Sequence, residues 1–156
     1  MSYKFEVMTQ EQAEDISYNW HYDRDYSFYD MEADEEDLEE FLNPEKRNNS
    51  FYVVKSFNTI IGFFCFDKLS DHTIEIGLGM KPELTGKGQG YEFLKAGIDF
   101  AKSNYKPNTI TLSVAVFNQR AIKVYKKIGF KEEYNFMQDT NGSSFEFLKM
   151  NYTCLD

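Results

Sequence analysis

Cysteine, proline, long apolar runs and surplus positive charge are all scarce in this chain, and each shortage removes a class of protein. The two cysteines, Cys65 and Cys154, stand far apart and in neither a C-x-x-C nor a zinc-like spacing, so they read as reduced thiols of a cytoplasmic protein. His21 and His72 form no H-E-x-x-H pattern, and no metal is expected. No stretch approaches the roughly 18 apolar residues of a membrane span, and residues 1–15 lack the apolar run of a signal peptide. The prolines (Pro44, Pro82, Pro107) fall only at element boundaries, and no Gly/Ser-rich linker or internal repeat intervenes, which predicts one domain over residues 1–156. The net charge of −9 argues against a nucleic-acid partner, which would require a basic footprint, and suits a cationic or amine-bearing one.

What the chain does have is apolar and aromatic mass: 42% hydrophobic and 17% aromatic residues suffice for a substantial core at this length. Periodicity then gives the element order. Residues 3–8 alternate as a short strand, and Thr9, with Glu11 and Gln12 behind it, starts a helix toward Trp20. Residues 21–47 mix aromatics with an acidic stretch in which Leu38, Phe41 and Leu42 share a helical face, predicting a second helix behind a mobile approach. Residues 51–56 and 60–67 are β-rich runs around Phe57-Asn58-Thr59, a hairpin turn, and residues 73–80 form a third such strand. A helical stripe of Phe93, Leu94, Ile98 and Ala101 covers residues 91–103, followed by a strand at 109–116 and a helix at 118–127 that Gly129 ends. Residues 130–137 and 143–152 alternate as an antiparallel pair around Asn141-Gly142. The order is β-α-α-β-β-β-α-β-α-β-β.

Leu84-Thr85-Gly86-Lys87-Gly88-Gln89-Gly90 lies between a strand and a helix. Alternate glycines let backbone N–H groups converge on an anion at the positive end of a helix, and a pyrophosphate fits such a cradle; a plain flexible turn or helix cap is the alternative. Spacing excludes two nucleotide loops. Six residues separate Gly79 from Gly86, and Lys87 precedes a glycine, so the G-x-x-x-x-G-K-[ST] pattern is absent. Gly86, Gly88 and Gly90 run G-x-G-x-G, not the G-x-G-x-x-G of dinucleotide binders.

The loop resembles the coenzyme A pyrophosphate loop of the GNAT family of N-acetyltransferases, Q/R-x-x-G-x-G/A, with Thr85, Gly88 and Gly90 at its three marked positions. Thr85 departs from the pattern; the glycines match. A second block, running from Val114 through Asn118, Ala121 and Tyr125 to Gly129-Phe130, resembles the family's N-x-x-A-x-x-x-Y-x-x-x-G-F. Read alone, Asn118 is a helix cap and Tyr125 a core aromatic, yet seven residues nearly complete two helical turns and put both on one groove.

The resemblance implies an α+β, three-layer fold: a mixed, mostly antiparallel sheet of about seven strands flanked by about four helices and splayed between the fourth and fifth strands. It further implies acetyl-coenzyme A as co-substrate and acetyl transfer to a primary amine on a small molecule, a peptide N-terminus or a lysine. A non-catalytic acetyl-CoA-binding sensor of the same fold is the alternative. On this resemblance the coenzyme would contact Leu78, Gly79, Met80, Thr85, Gly86, Lys87, Gly88, Gln89, Gly90, Tyr91, Asn118, Ala121 and Lys127, with the Met80 N–H polarising the thioester carbonyl. Tyr125 would protonate the leaving thiolate, and Glu75, or an ordered water, would be general base. Glu75 reads equally as a solvent-facing strand residue. Trp20, Tyr22, Tyr26 and Tyr29, beside the acidic run 30–40, would receive the amine, or else belong to the core. A homodimer through the last two strands and a monomer both fit.

Overall fold

The computed structural model describes residues 3–154. Its elements are β1 (Lys4–Val7), α1 (Gln10–Asn19), 3-10 segments at Arg24–Tyr29 and Met31–Ala33, α2 (Glu35–Leu42), the single turn α3 (Pro44–Arg47), β2 (Phe51–Ser56), β3 (Thr59–Lys68), β4 (Thr73–Met80), a 3-10 turn at Pro82–Leu84, α4 (Gly90–Tyr105), β5 (Thr109–Ala115), α5 (Gln119–Ile128), β6 (Lys131–Thr140) and β7 (Ser143–Thr153).

Local chemistry sets most of these boundaries. Thr9 and Gln12 form a reciprocal capping box on α1, satisfying two donors that would otherwise be orphaned. Phe57 and Asn58 both take positive φ in the β2–β3 turn, as do Asn141 and Gly142 between β6 and β7, the conformation that matches the twist of a two-residue hairpin. Gly129 closes α5 at φ 125°, a value side chains resist. Between α1 and α2, where the expectation was a mobile approach, the chain winds into the two 3-10 segments. Buried Arg47 then ties this region together, donating to the Phe41 carbonyl (2.5 Å) and to Gln10 Oε1 (2.7 Å).

The seven strands form one sheet in the order β1-β2-β3-β4-β5-β7-β6. Every neighbouring pair is antiparallel except β4–β5, which pair in parallel over Thr73↔Thr109, Ile74↔Ile110 and Glu75↔Thr111 and then part. The expected mixed sheet and its splay are therefore present, with four helices of two or more turns plus α3. One face carries the larger core, where Phe64, Ile74 and Ile76 meet Phe93, Leu94 and Ile98 of α4 and Ile122 of α5. The other face packs Val53 and Phe63 against Ile16 and Trp20 of the α1 region and Phe41 of α2. Fully burying such side chains supplies roughly 1.5–3 kcal/mol each, so both layers hold the sheet from its two sides.

The tip of the last hairpin reaches the front of the chain. Asp34, the N-cap of α2, accepts hydrogen bonds from the Asn141 N–H (2.8 Å) and Thr140 Oγ1 (3.0 Å), while Asn141 Nδ2 donates to the Phe28 carbonyl (2.9 Å). These bonds span more than a hundred residues and place the β6–β7 tip beside the 3-10 segments.

Candidate active site

The splay leaves backbone groups of β4 without a strand partner. The Lys81 N–H donates to the Ile61 carbonyl at 2.8 Å, on the β3 side. Strand alternation then turns the N–H and C=O of Leu78 and Met80 the other way, into the gap toward β5. Gly79 sits between them because a Cβ there would come within 2.4 Å of the Phe63 ring.

Beyond β4, the 3-10 turn leads into the glycine loop. Thr85 Oγ1 donates to the Pro82 carbonyl (2.8 Å), so its hydroxyl proton is engaged within the turn. Gly88 takes φ 78° with nothing within 4 Å of where a Cβ would stand. The helix that follows, α4, has no side-chain cap, whereas Thr9, Asp34, Asn43 and Asn118 cap α1, α2, α3 and α5. Its leading N–H groups are therefore available to an anion at the positive end of a sixteen-residue helix.

On the far side of the gap, Asn118 Oδ1 accepts from the Ala121 N–H and its Nδ2 donates to the Tyr29 hydroxyl, both at 3.2 Å. Tyr125 follows two turns later. Burial, with the Tyr29 hydroxyl nearby as a lesser cause, drives the Tyr125 phenol well above its ordinary pKa, and it stays protonated at neutral pH. Burial also raises Tyr22, whose hydroxyl donates to the Met80 carbonyl, and Tyr29.

These parts surround one cavity of about 780 Å³. Of the residues that the sequence pointed to for the coenzyme, Leu78, Gly79, Met80, Thr85, Gly86, Gly88, Gly90, Tyr91, Asn118, Ala121 and Lys127 line it; Lys87 and Gln89 do not. Tyr125 lines it too, as do Trp20, Tyr22, Tyr26 and Tyr29. Glu75 lies apart from the cavity lining: at that level β4 and β5 are still paired, and its carboxylate accepts from Thr111 Oγ1 (3.3 Å) and is ion-paired to Lys149.

The acidic run expected beside these aromatics supplies Asp30, Asp37 and Glu40 to the wall, whereas the wall residues from the last hairpin and the start of α5 were missed. Asp37 titrates above the usual range, first because of partial burial and then because Asp34, Glu40 and Glu36 repel its charge. Gln138, Thr140 and Asn141 arrive from the β6–β7 tip, and Arg120 from the first turn of α5, its guanidinium 4.3 Å from the centroid of Tyr26. The acidic run 30–40 was a signal for the carboxylates; nothing local signals the hairpin tip. His21 anchors this wall, with Nδ1 3.0 Å from Asp30 Oδ2 and Nε2 2.9 Å from the Tyr18 carbonyl.

The same architecture recurs in known proteins. A family model described as acetyltransferase (GNAT) matches residues 14–130. The acetyltransferase PseH of Campylobacter jejuni is 31% identical over 99 residues, which are 60% of this chain and 62% of that protein. An uncharacterized N-acetyltransferase of Bacillus subtilis, YnaD, is 28% identical over 103 residues, 64% of this chain and 61% of its own. The matches thus span about three fifths of the length of these curated relatives. Among solved structures, spermidine N-acetyltransferase from Vibrio cholerae in complex with CoA and spermine superposes with a TM-score of 0.76 at 22% identity, covering 97% of this chain and 95% of that one. A GNAT-family acetyltransferase from Bacillus anthracis gives the same TM-score and identity, over 97% and 94%. With its family match extending from α1 to the end of α5, on a sheet that splays beside an uncapped glycine-loop helix, this chain belongs to the acetyltransferase (GNAT) family.

Proposed function

We propose that the protein transfers the acetyl group of acetyl-coenzyme A directly to a primary amine of a cationic acceptor. One observation carries this reading: the protonated Tyr125, the outward-turned backbone of Leu78 and Met80, and the uncapped start of α4 line a single cavity. In the reading, the glycine loop and α4 N–H groups hold the pyrophosphate, and Leu78 and Met80 pair with the amides of the pantetheine arm. The Met80 N–H polarises the thioester carbonyl as charge develops on its oxygen. The neutral amine adds to that carbon, the C–N bond forms, the C–S bond breaks, and the departing thiolate takes its proton from Tyr125. Water takes the proton lost by the amine in this scheme, because the Glu75 carboxylate is held by Lys149 and Thr111.

The acceptor side favours more than one positive charge. Trp20, Tyr22, Tyr26 and Tyr29 offer ring faces, and Asp30, Asp37 and Glu40 offer carboxylates along the same cavity, a lining suited to a linear polyamine. Relatives of similar fold described as spermidine N-acetyltransferases support that substrate class. A cytoplasmic location, where acetyl-coenzyme A is supplied, and a second copy along the open edge of β6 complete the proposal.

Thiol release from acetyl-coenzyme A, followed over a panel of spermidine, putrescine, a simple monoamine and a lysine peptide, tests it. Turnover with an amine is expected, fastest with spermidine, and Asp37→Asn with Glu40→Gln should raise the KM for spermidine several-fold more than that for the monoamine. No acetyl-coenzyme A-dependent product with any amine would overturn the enzymatic reading.

A further inference from the structure

A pyrophosphate carries two negative charges, and the loop side chains bring little to meet them. The Thr85 hydroxyl proton is directed at Pro82, and Lys87 lies outside the cavity lining. Two cationic side chains line the cavity among the described residues, Arg120 and Lys127. Lys127 stands with Nζ 5.2 Å from the centroid of Tyr91, on the first turn of α4. Arg120 is the one at the loop itself: a Cβ built on Gly86 would lie 3.1 Å from its Nη1.

The guanidinium does not reach this position unsupported. Arg120 is exposed on the first turn of α5, where a long cationic side chain ordinarily samples many rotamers at an entropy cost on binding of up to about 2 kcal/mol. Here it lies over the ring of Tyr26, 4.3 Å from the centroid, and that ring is in turn tilted against Phe117 at 6.1 Å. The segment bearing Tyr26 is fixed to the same end of α5 a second time, by the Asn118–Tyr29 hydrogen bond.

Resting on the reading of the cavity as a coenzyme A site, we propose that Arg120 is the side-chain ligand of the coenzyme pyrophosphate and that Tyr26, from the acceptor wall, is the positioning residue that holds its guanidinium against Gly86. Charge-assisted hydrogen bonds from a fixed guanidinium are stronger than those from neutral donors, and a preset rotamer loses less entropy on binding. One face of Tyr26 is thereby committed to the cofactor while the segment that carries it walls the acceptor side, so a change in that wall alters coenzyme affinity.

Calorimetric titration of the full chain with coenzyme A and with 3′-dephospho-coenzyme A tests the assignment. Arg120→Ala should weaken both ligands by about tenfold or more and by the same factor, with Arg120→Lys restoring only part, since a lysine cannot stack and fork together. Tyr26→Leu should weaken both about threefold to fivefold, an effect of cation–π size, Tyr26→Phe should not, and in the Arg120→Ala background Tyr26→Leu should cost nothing further. Unchanged affinity in Arg120→Ala, a loss confined to the ligand bearing the 3′-phosphate, or an equal cost of Tyr26→Leu with and without Arg120 would overturn the inference. Failure of the unsubstituted protein to bind either ligand would instead overturn the coenzyme reading beneath it. Thermal melts of each variant separate lost binding from lost folding.

Discussion

The Tyr22 hydroxyl donates a 2.7 Å hydrogen bond to the carbonyl of Met80, joining residues 58 positions apart. It caps the last residue of β4 on the side where no strand pairs with it, and the raised pKa of Tyr22 keeps the phenol a donor. The residue whose N–H is proposed to polarise the thioester is thus held, through its carbonyl, by the wall proposed to receive the amine. Tyr22→Phe removes a net contribution of about 0.5–1.5 kcal/mol and should lower kcat roughly threefold to tenfold. Steady-state kinetics with acetyl-coenzyme A checks this; unaltered kcat would mean Met80 needs no such support.

Tyr125→Phe keeps the ring that packs near Phe130 and deletes only the proton donor. Turnover should fall by about a hundredfold or more while the KM for acetyl-coenzyme A moves little. A variant with full turnover would remove Tyr125 from the chemistry.

For Glu75→Gln the expectation is an unchanged pH–rate profile, because the carboxylate is already engaged by Lys149 and Thr111 away from the cavity. Some thermal stability should be lost with the ion pair. Loss of the acidic limb of the profile would return the base role to Glu75.

The His21 anchor predicts a pH-dependent stability. Both imidazole nitrogens face acceptors, the Asp30 carboxylate and the Tyr18 carbonyl, which suits the doubly protonated ring; the bond to Asp30 is the largest cause raising its pKa above 6.5, followed by that to Tyr18. A folded-state value above the unfolded one stabilises fully below about 6.5 and loses that stabilisation as pH rises through the folded value. The Tm advantage of the native protein over His21→Gln should therefore be full below about pH 6.5 and shrink as the pH rises above it. An advantage that is constant with pH would contradict the protonated anchor.

Features settled within a few residues of chain could be read directly from the sequence. The Thr9–Gln12 box, the Asn118 cap, the Gly129 stop and the Asn141-Gly142 turn each depend on chemistry local to the residues named, and each appears in the fold. The glycine loop was legible for the same reason. Within residues 21–47 the helix bearing Phe41 was legible, but the packing ahead of it was not: Phe28 packs on Phe117, Phe145 and Phe147, partners set by the register of β7 and the entry to α5 rather than by any local period. Glu75 shows the same limit, since its partner Lys149 comes from two strands away in the sheet, across β5. Arg120 looks like any solvated helix cation until Gly86 and Tyr26 are brought beside it.

The three-rung parallel contact between β4 and β5 has a consequence for solvent exchange. A strand flanked on both sides normally protects its amide protons along its whole length, but here Leu78 and Met80 direct theirs into an open gap. Both should trade hydrogen for deuterium quickly in the free protein, while the amide of Gly79 between them, directed toward β3, stays slow. Saturating coenzyme A should slow those two amides preferentially, so the strand would carry its own isotopic record of whether the gap is filled.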